Sequence, residues 1–516
     1  MTRTKFHDLL YIGSLLTIAF SLPLSMFAMT IGICVLLGNS ILEWNWKEKW
    51  NRLKEHKLTF YLISFPLLFF IGFIQTDNFG LAWDSYLMKL PLLIIPLVIT
   101  TTKPLERREI NWVLLSFIAS LIIATFYSFY YLNTHVINDI REISIFISHI
   151  RFSLNIVLGI VILAFLIWNK EWRPKRMVPI YGVLLFWLLL YLFISQTLTG
   201  IVILFILVFV LMIYILIKSK KRHEYRIIAI LFLTFILGLM GYVSYITYGY
   251  FHNQDQNVPL AQLTKAGNPY LHGTESLVEN GHVIGDNLCM PELQLEWPKR
   301  SKVPFAEVEP GLIRYLNSLG LKKDAEGVQA LSHDDIKNIE NGYANVDYTK
   351  GIGLKRSLYP TFFSLSLYKK YGKIHQSSLL ERIELWKTTT VLIKQHWLFG
   401  VGVGDHKQEL DQQLIKQKSE ITKKEKGCHN QYLTIWLSGG IVLLLLFLTM
   451  LLAPLFFKTR YRLLYMMFFI IITVSMFTED TINTHAGVTF FAFFNSLFLL
   501  GVGRLPAPSD SEQQNK

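Results

Sequence analysis

The chain has 516 residues, 52% of them hydrophobic, 14% aromatic and 17% charged, with a formal net charge of +13. This balance excludes an ordinary soluble globular chain and an intrinsically disordered one; it is the composition of a protein that spends much of its length in lipid. The excess of Lys and Arg reads as a topology signal before it reads as a nucleic-acid footprint, because the basic residues gather in alternate short loops.

A helix needs about 20 mostly apolar residues to cross the hydrocarbon core, since an unpaired backbone amide in lipid is strongly unfavourable. Twelve stretches are read as spans: residues 9–22, 24–40, 58–74, 85–100, 111–131, 152–168, 178–194, 200–217, 227–248, 430–457, 463–478 and 487–503. The first two are short and flank Pro23, so they can also be read as one kinked helix. The opening MTRTKFHDLL resembles the start of a signal peptide without a convincing cleavage site, and is taken as a retained first span.

One set of loops carries Lys47 to Lys57, Lys103 to Arg108, Lys170 to Arg176, Lys218 to Arg226 and Lys458 to Arg462; the alternate loops, such as QTDNFGLAWDS and TEDTINTHAG, carry almost none. The basic loops are therefore expected inside, with both termini. The fold class expected is an all-α polytopic membrane protein of about twelve helices. Residues 1–248 hold nine, 249–428 form a large, mostly helical outside loop, 429–503 hold three, and 504–516, which contain PAPSDSEQQNK, are a disordered cytoplasmic tail.

The outside segment is far too long to be a mere connection. HDDIKNIENG reads as a helix that Gly342 stops. LKRSLYPTFFSLSLYKKYGK interleaves aromatic and basic residues and suits the membrane interface, or an ordinary amphipathic packing helix. SSLLERIELWKTTTVLIKQHWLFGVGVGDH reads as a helix opened by Ser377 or Ser378 and closed by Gly400, Gly402 and Gly404; Arg382 and Trp386, four apart, share one of its faces. HKQELDQQLIKQKSEITKKEKG reads as an amphipathic helix with Leu410, Leu414 and Ile421 on one side. Of the three cysteines, Cys34 lies in the second span. Cys289 and Cys428 fall outside, where one bridge or two unrelated thiols are both open.

The residues with chemistry in them collect around GCHNQYLTIWLSGG. His429 stands at the head of a span, where the helix dipole and Lys423, Lys424 and Lys426 all disfavour protonation; a neutral imidazole can act as a general base or merely cap the helix. Tyr432, Leu433, Trp436 and Gly440 follow at spacings that place them on its face. Arg151 stands at the lip of the sixth span in SHIRFSLN, and Arg382, Arg356 and Arg314 lie in the outside segment. A guanidinium at a membrane boundary suits a diphosphate, although each alone could snorkel to headgroups. The outside histidines show no metal-ligand spacing. The chain has no P-loop, GxSxG or CxxC, and GVGVG lacks the preceding strand of a nucleotide loop.

R-x-x-x-W running into GVGVGD (Arg382, Trp386), H-N-x-Y-L with GG some ten residues on (His429 to Gly440), and TED followed by G-V-x-F-F-A-F-F resemble the O-antigen ligase and O-antigen polymerase superfamily over roughly residues 140–500. The outside region looks like the version in Bacteroidetes-type members. The resemblance implies a GT-C-like fold in the bacterial inner membrane with its site facing the periplasm. It also implies metal-independent, inverting transfer from an undecaprenyl-diphosphate-linked glycan, without a cofactor, to lipid A core or another glycan acceptor, among membrane lipids and with no nucleic acid. Carried onto this chain, His429 is the base; Arg382 and Arg151 stabilise the departing diphosphate, with Arg356 and Arg314 as further donor-site arginines. Asn430, Tyr432, Trp386, His149 and Glu479 are supporting residues. One departure is Leu198 in SQTLTG, where members often carry an arginine; Arg314 or Arg356 could supply that charge. The rival readings are a polymerase or a protein glycosyltransferase of the same superfamily, a glycan-lipid flippase, and a pseudoenzyme. A flippase needs ionisable groups deep in its spans, and here there are few beyond Lys89.

Overall fold

In the computed structural model the residues described are 3–135, 137, 140–169, 172, 174–218, 223–252, 260–273, 277–349, 354–374, 377–421 and 427–501. Taken in chain order, they form α1 (Arg3–Ser21), α2 (Met26–Leu42), α3 (Trp46–Glu55), α4 (Lys57–Leu68), α5 (Phe79–Lys89), α6 (Pro91–Thr101), α7 (Arg107–Thr134), α8 (His149–Trp168), α9 (Val178–Ile194), α10 (Leu198–Lys218) and α11 (His223–His252). A hairpin of β1 (Val278–Glu279) and β2 (His282–Val283) follows, then α12 (Met290–Arg300), α13 (Phe305–Ser318), α14 (Ala325–Gln329), α15 (His333–Glu340) and α16 (Leu354–Tyr371). The chain ends with α17 (Ser378–Gln395), α18 (His406–Lys416), α19 (Gln431–Leu452), α20 (Arg462–Thr478) and α21 (His485–Leu499).

Two compact units result, one from residues 1–211 and 382–516, the other from 212–381. Among the described residues seven segments are long and apolar enough to cross a membrane, and an eighth qualifies if α2 and α3, bent by 113°, are taken together. The other stretches read as spans, 9–22, 58–74, 463–478 and 487–501, are also helical but shorter or more polar. The first two stretches are not one kinked helix. The chain reverses at residues 22–24, and α1 packs along α2 as an antiparallel hairpin, with the His7 ring 2.8 Å from the Asn39 side chain at the open end. Ser25 favours the reversal by capping α2, its hydroxyl accepting from the Ala28 amide.

The core of the first unit lies around α21. Every residue from Ala486 to Phe498 is buried; Phe468, Phe490, Phe494 and Phe498 pack edge-on and tilted against one another, and Phe491 stacks on Phe468. A helix that is apolar all round belongs inside a bundle.

The second unit contains a small helical core of its own, where Trp297, Leu312, Tyr315, Leu316 and Val328 are fully buried. Ser332 starts α15 through a capping box with Asp335, and Gly342, at φ +82°, follows its end as the sequence suggests. The segment beyond the membrane helices is thus a folded element in its own right, which its mixed polarity alone did not reveal.

Candidate active site

The site grows from the way the chain enters α19. Asn430 is the N-cap, its side-chain oxygen accepting from the Tyr432 and Leu433 amides, both at 3.1 Å. His429 therefore precedes the cap, and its φ is +53°, a conformation uncommon outside glycine that histidine tolerates better than most. Three bonds hold the peptide there. The buried Asp480 accepts the His429 amide at 3.2 Å, the Thr434 hydroxyl donates to the other Asp480 oxygen at 2.6 Å, and the Trp386 indole donates to the Cys428 carbonyl at 2.9 Å. Gly427 must lack a side chain, since a Cβ would lie 2.4 Å from Asp480.

The imidazole of His429 faces Glu479, Nδ1 standing 3.7 Å from Oε2, while Arg382 Nη2 donates to Oε1 of the same carboxylate at 2.7 Å. Burial works against the charge on Glu479. The His429 imidazole, then Arg382 and Arg151, outweigh it and hold this pKa below the usual carboxylate value. Asp480 next door is raised, above all by burial. Arg151, on the first turn of α8, donates to the Ser148 hydroxyl at 2.8 Å, and its buried Nε has no protein partner among the described residues. His149 opens the same helix, half-buried.

Among the described residues the charged side chain that the His429 imidazole faces is the Glu479 carboxylate; Lys423, Lys424 and Lys426, expected to act on it, lie outside the described residues. The arrangement corrects another expectation. Trp436 and Gly440 do not continue its face. Tyr432 donates to the Thr473 carbonyl and Trp436 to the Trp397 carbonyl, and α19 breaks at Gly439 and Gly440.

The break is served by the GVGVGD turn. The Val401 and Gly402 amides donate to the Leu437 and Ser438 carbonyls at 2.8 and 3.0 Å, and the Ile441 amide donates back to Trp397 at 2.9 Å. Asp405 in turn accepts the Asp77 and Asn78 amides at 2.8 and 3.2 Å. Interrupted backbone at membrane depth is stable only when its freed groups are paired, and this turn pairs them.

Of the other residues singled out, Arg314 lies in the second unit. There its fork grips the buried Glu279 at 2.8 and 2.9 Å and its plane covers the Phe363 ring, so it is bound up within that unit. Arg356 belongs to α16 of that unit, and its side chain is outside what is described. Leu198 is exposed at the head of α10. Cys289 and Cys428 are free, buried thiols in different units, which resolves the open question of a bridge; burial pushes the Cys428 thiol far up, away from reactivity. Residues missed in the sequence are Asp480 and Thr434. The signal for Asp480 was its place beside Glu479 in TED at the end of a span; nothing in the sequence marked Thr434.

Residues 351–448 match the family described as O-Antigen ligase. The chain thus carries an O-antigen ligase domain. With its apolar helices, that makes it a membrane protein of the polysaccharide ligase and polymerase type, glycosyltransferase-like, whose partners are in general terms a lipid-linked glycan and an acceptor. None of the curated proteins matches the chain. The matched stretch of this O-antigen ligase relative contains Arg382, Trp386 and His429, whereas Glu479, Asp480 and Arg151, which complete the cluster, lie outside it.

Proposed function

We propose that the protein transfers a glycan from an undecaprenyl-diphosphate carrier to an acceptor hydroxyl on the periplasmic side of the bacterial inner membrane, with lipid A core as the acceptor. The observation that supports this best is the shared carboxylate, Glu479 between the His429 imidazole and the Arg382 guanidinium. With Nδ1–H turned toward Glu479, Nε2 is left to take the proton from the acceptor hydroxyl as that oxygen attacks the anomeric carbon. The glycosidic C–O bond to the diphosphate breaks on the opposite face, so the anomeric configuration inverts. The growing negative charge on the diphosphate is met by Arg151, whose Nε is uncommitted, and by Arg382, which has donors beyond the one spent on Glu479. None of these steps calls on a metal ion. The outside loop of residues 249–428 is read as the part that presents the acceptor.

The test is transfer by purified protein in nanodiscs, given a synthetic lipid-diphosphate glycan and, in turn, lipid A core, a second carrier-linked repeat unit and a hydroxyl-bearing peptide. Product on lipid A core alone supports ligation; product on the repeat unit makes it a polymerase. His429→Ala is expected to lose at least about 100-fold in rate. Unchanged transfer by that variant removes the base, and no transfer by the wild type to any acceptor removes the enzyme.

A further inference from the structure

A second cationic site lies across Asp480 and Thr434 from His429, within the same unit. A cavity of about 80 Å³, room for several waters, is lined by Lys89 at the end of α5, His406 and Lys407 on α18, Thr434 and Ser438 on α19, and Asn483. Lys89 is 4% exposed. Its ammonium has the Ser85 carbonyl at 3.3 Å and the Phe69 ring at 4.7 Å, and among the described residues no carboxylate within ion-pair distance. The acid whose field reaches it is Asp480, and both oxygens of that carboxylate are already taken by Thr434 and the His429 amide. A buried ammonium without a counter-charge is costly, and an anion in the cavity removes the cost.

Lys407 adds a second ammonium at the rim, and the Thr434, Ser438 and Asn483 side chains add hydroxyls and an amide. His406 donates Nδ1–H to the Val403 carbonyl at 3.1 Å, and burial, then Lys89 and Lys407, lower its pKa to about 4. Both ammonium groups thus act on one small space. The cavity lies between two segments long enough to cross a membrane, Phe79–Thr101 and Gln431–Phe456, with Phe69, Met88 and Ile435 as its apolar wall.

We propose that this cavity is an anion site separate from the His429 cluster, built to hold a phosphate group carried on a lipid, with Lys89 and Lys407 as its charged ligands. Two sources share that chemistry, both on the acceptor side because the donor's own diphosphate is assigned to Arg151 and Arg382: the diphosphate of a carrier-linked acceptor repeat unit and the phosphates of lipid A core. The proposal rests on the glycosyl-transfer reading only for the choice between them, since the site itself follows from the unpaired lysine.

Calorimetric titration of inorganic diphosphate into the detergent-solubilised full chain tests it. Lys89→Met, which keeps the stem and removes the charge, and Lys407→Gln, on an exposed position that leaves the fold untouched, are each expected to weaken binding at least tenfold, while His429→Ala retains this site. Lipid-borne competitors then name the source, according to whether polyprenyl diphosphate or lipid A displaces the inorganic ion. Binding by both lysine variants equal to the wild type overturns the site, and displacement by neither lipid overturns its lipid-borne occupant. Retained binding in a protein that transfers nothing leaves the site standing and removes the enzyme reading alone.

Discussion

His429 sits in a backbone conformation that non-glycine residues seldom adopt, and strain of this kind persists where surrounding bonds over-determine it. Here Asp480, Thr434, Trp386 and the Asn430 cap supply those bonds, so the imidazole is placed by its backbone as well as by its side chain. Glu479 then does two things with one carboxylate, facing Nδ1 of His429 and neutralising Arg382. Glu479→Gln keeps the shape and removes the charge; transfer should fall about 100-fold or more in kcat while the donor KM changes little, read by single-turnover kinetics. His406 belongs to stability. Its pKa is depressed in the folded state, to about 4, and it faces Lys89, Lys407 and the Val403 carbonyl. In acid the unfolded chain binds the proton that the folded one refuses, so the stability present above pH 6.5 is lost as pH falls from there through about 4. His406→Gln should flatten the decline in melting temperature over that interval in detergent.

At the scale of elements, the decisive feature is the broken α19 and the turn that repairs it. Gly440 has φ +67°, and a Cβ there would meet the Leu398 carbonyl oxygen at 2.0 Å. Gly400, at φ +72°, faces the Leu437 carbonyl in the same way. Gly440→Ala combines left-handed strain with a backbone clash, and a loss of about 2 kcal/mol or more is expected, seen as a lower melting temperature together with lost transfer. Gly13→Ala and Gly38→Ala are the controls. Both glycines are helical with nothing within 4 Å of a built Cβ, so these changes should be neutral or stabilise by up to about 1 kcal/mol. The GG and GVGVG motifs, 35 or more residues apart in reading order, are thus two halves of one joint. Hydropathy saw an unbroken span there because it averages over a window, and a two-residue break leaves the average unchanged.

For the whole molecule, the basic loops make a prediction about sidedness that needs no substrate. In a Cys34→Ser background, an impermeant thiol reagent should label Gln412→Cys on intact spheroplasts and Arg460→Cys only after permeabilisation, with the buried Cys289 and Cys428 silent in both. Labelling of both from outside would overturn the orientation on which the periplasmic site depends. What the amino-acid sequence determines by itself is the membrane class, the helices and their ends, and the candidacy of His429, Arg382 and Arg151. Hydropathy, caps and glycine stops act over a few turns, so one stretch of chain contains the whole cause. What only the tertiary structure decided is which groups meet: Glu479 beside His429, Asp480 beneath its peptide, a turn repairing a broken helix, Arg314 bound up in another unit, and an unpaired Lys89 in a cavity. Each depends on the packing register of helices far apart in the chain, and contact between distant segments leaves no periodic trace in either of them.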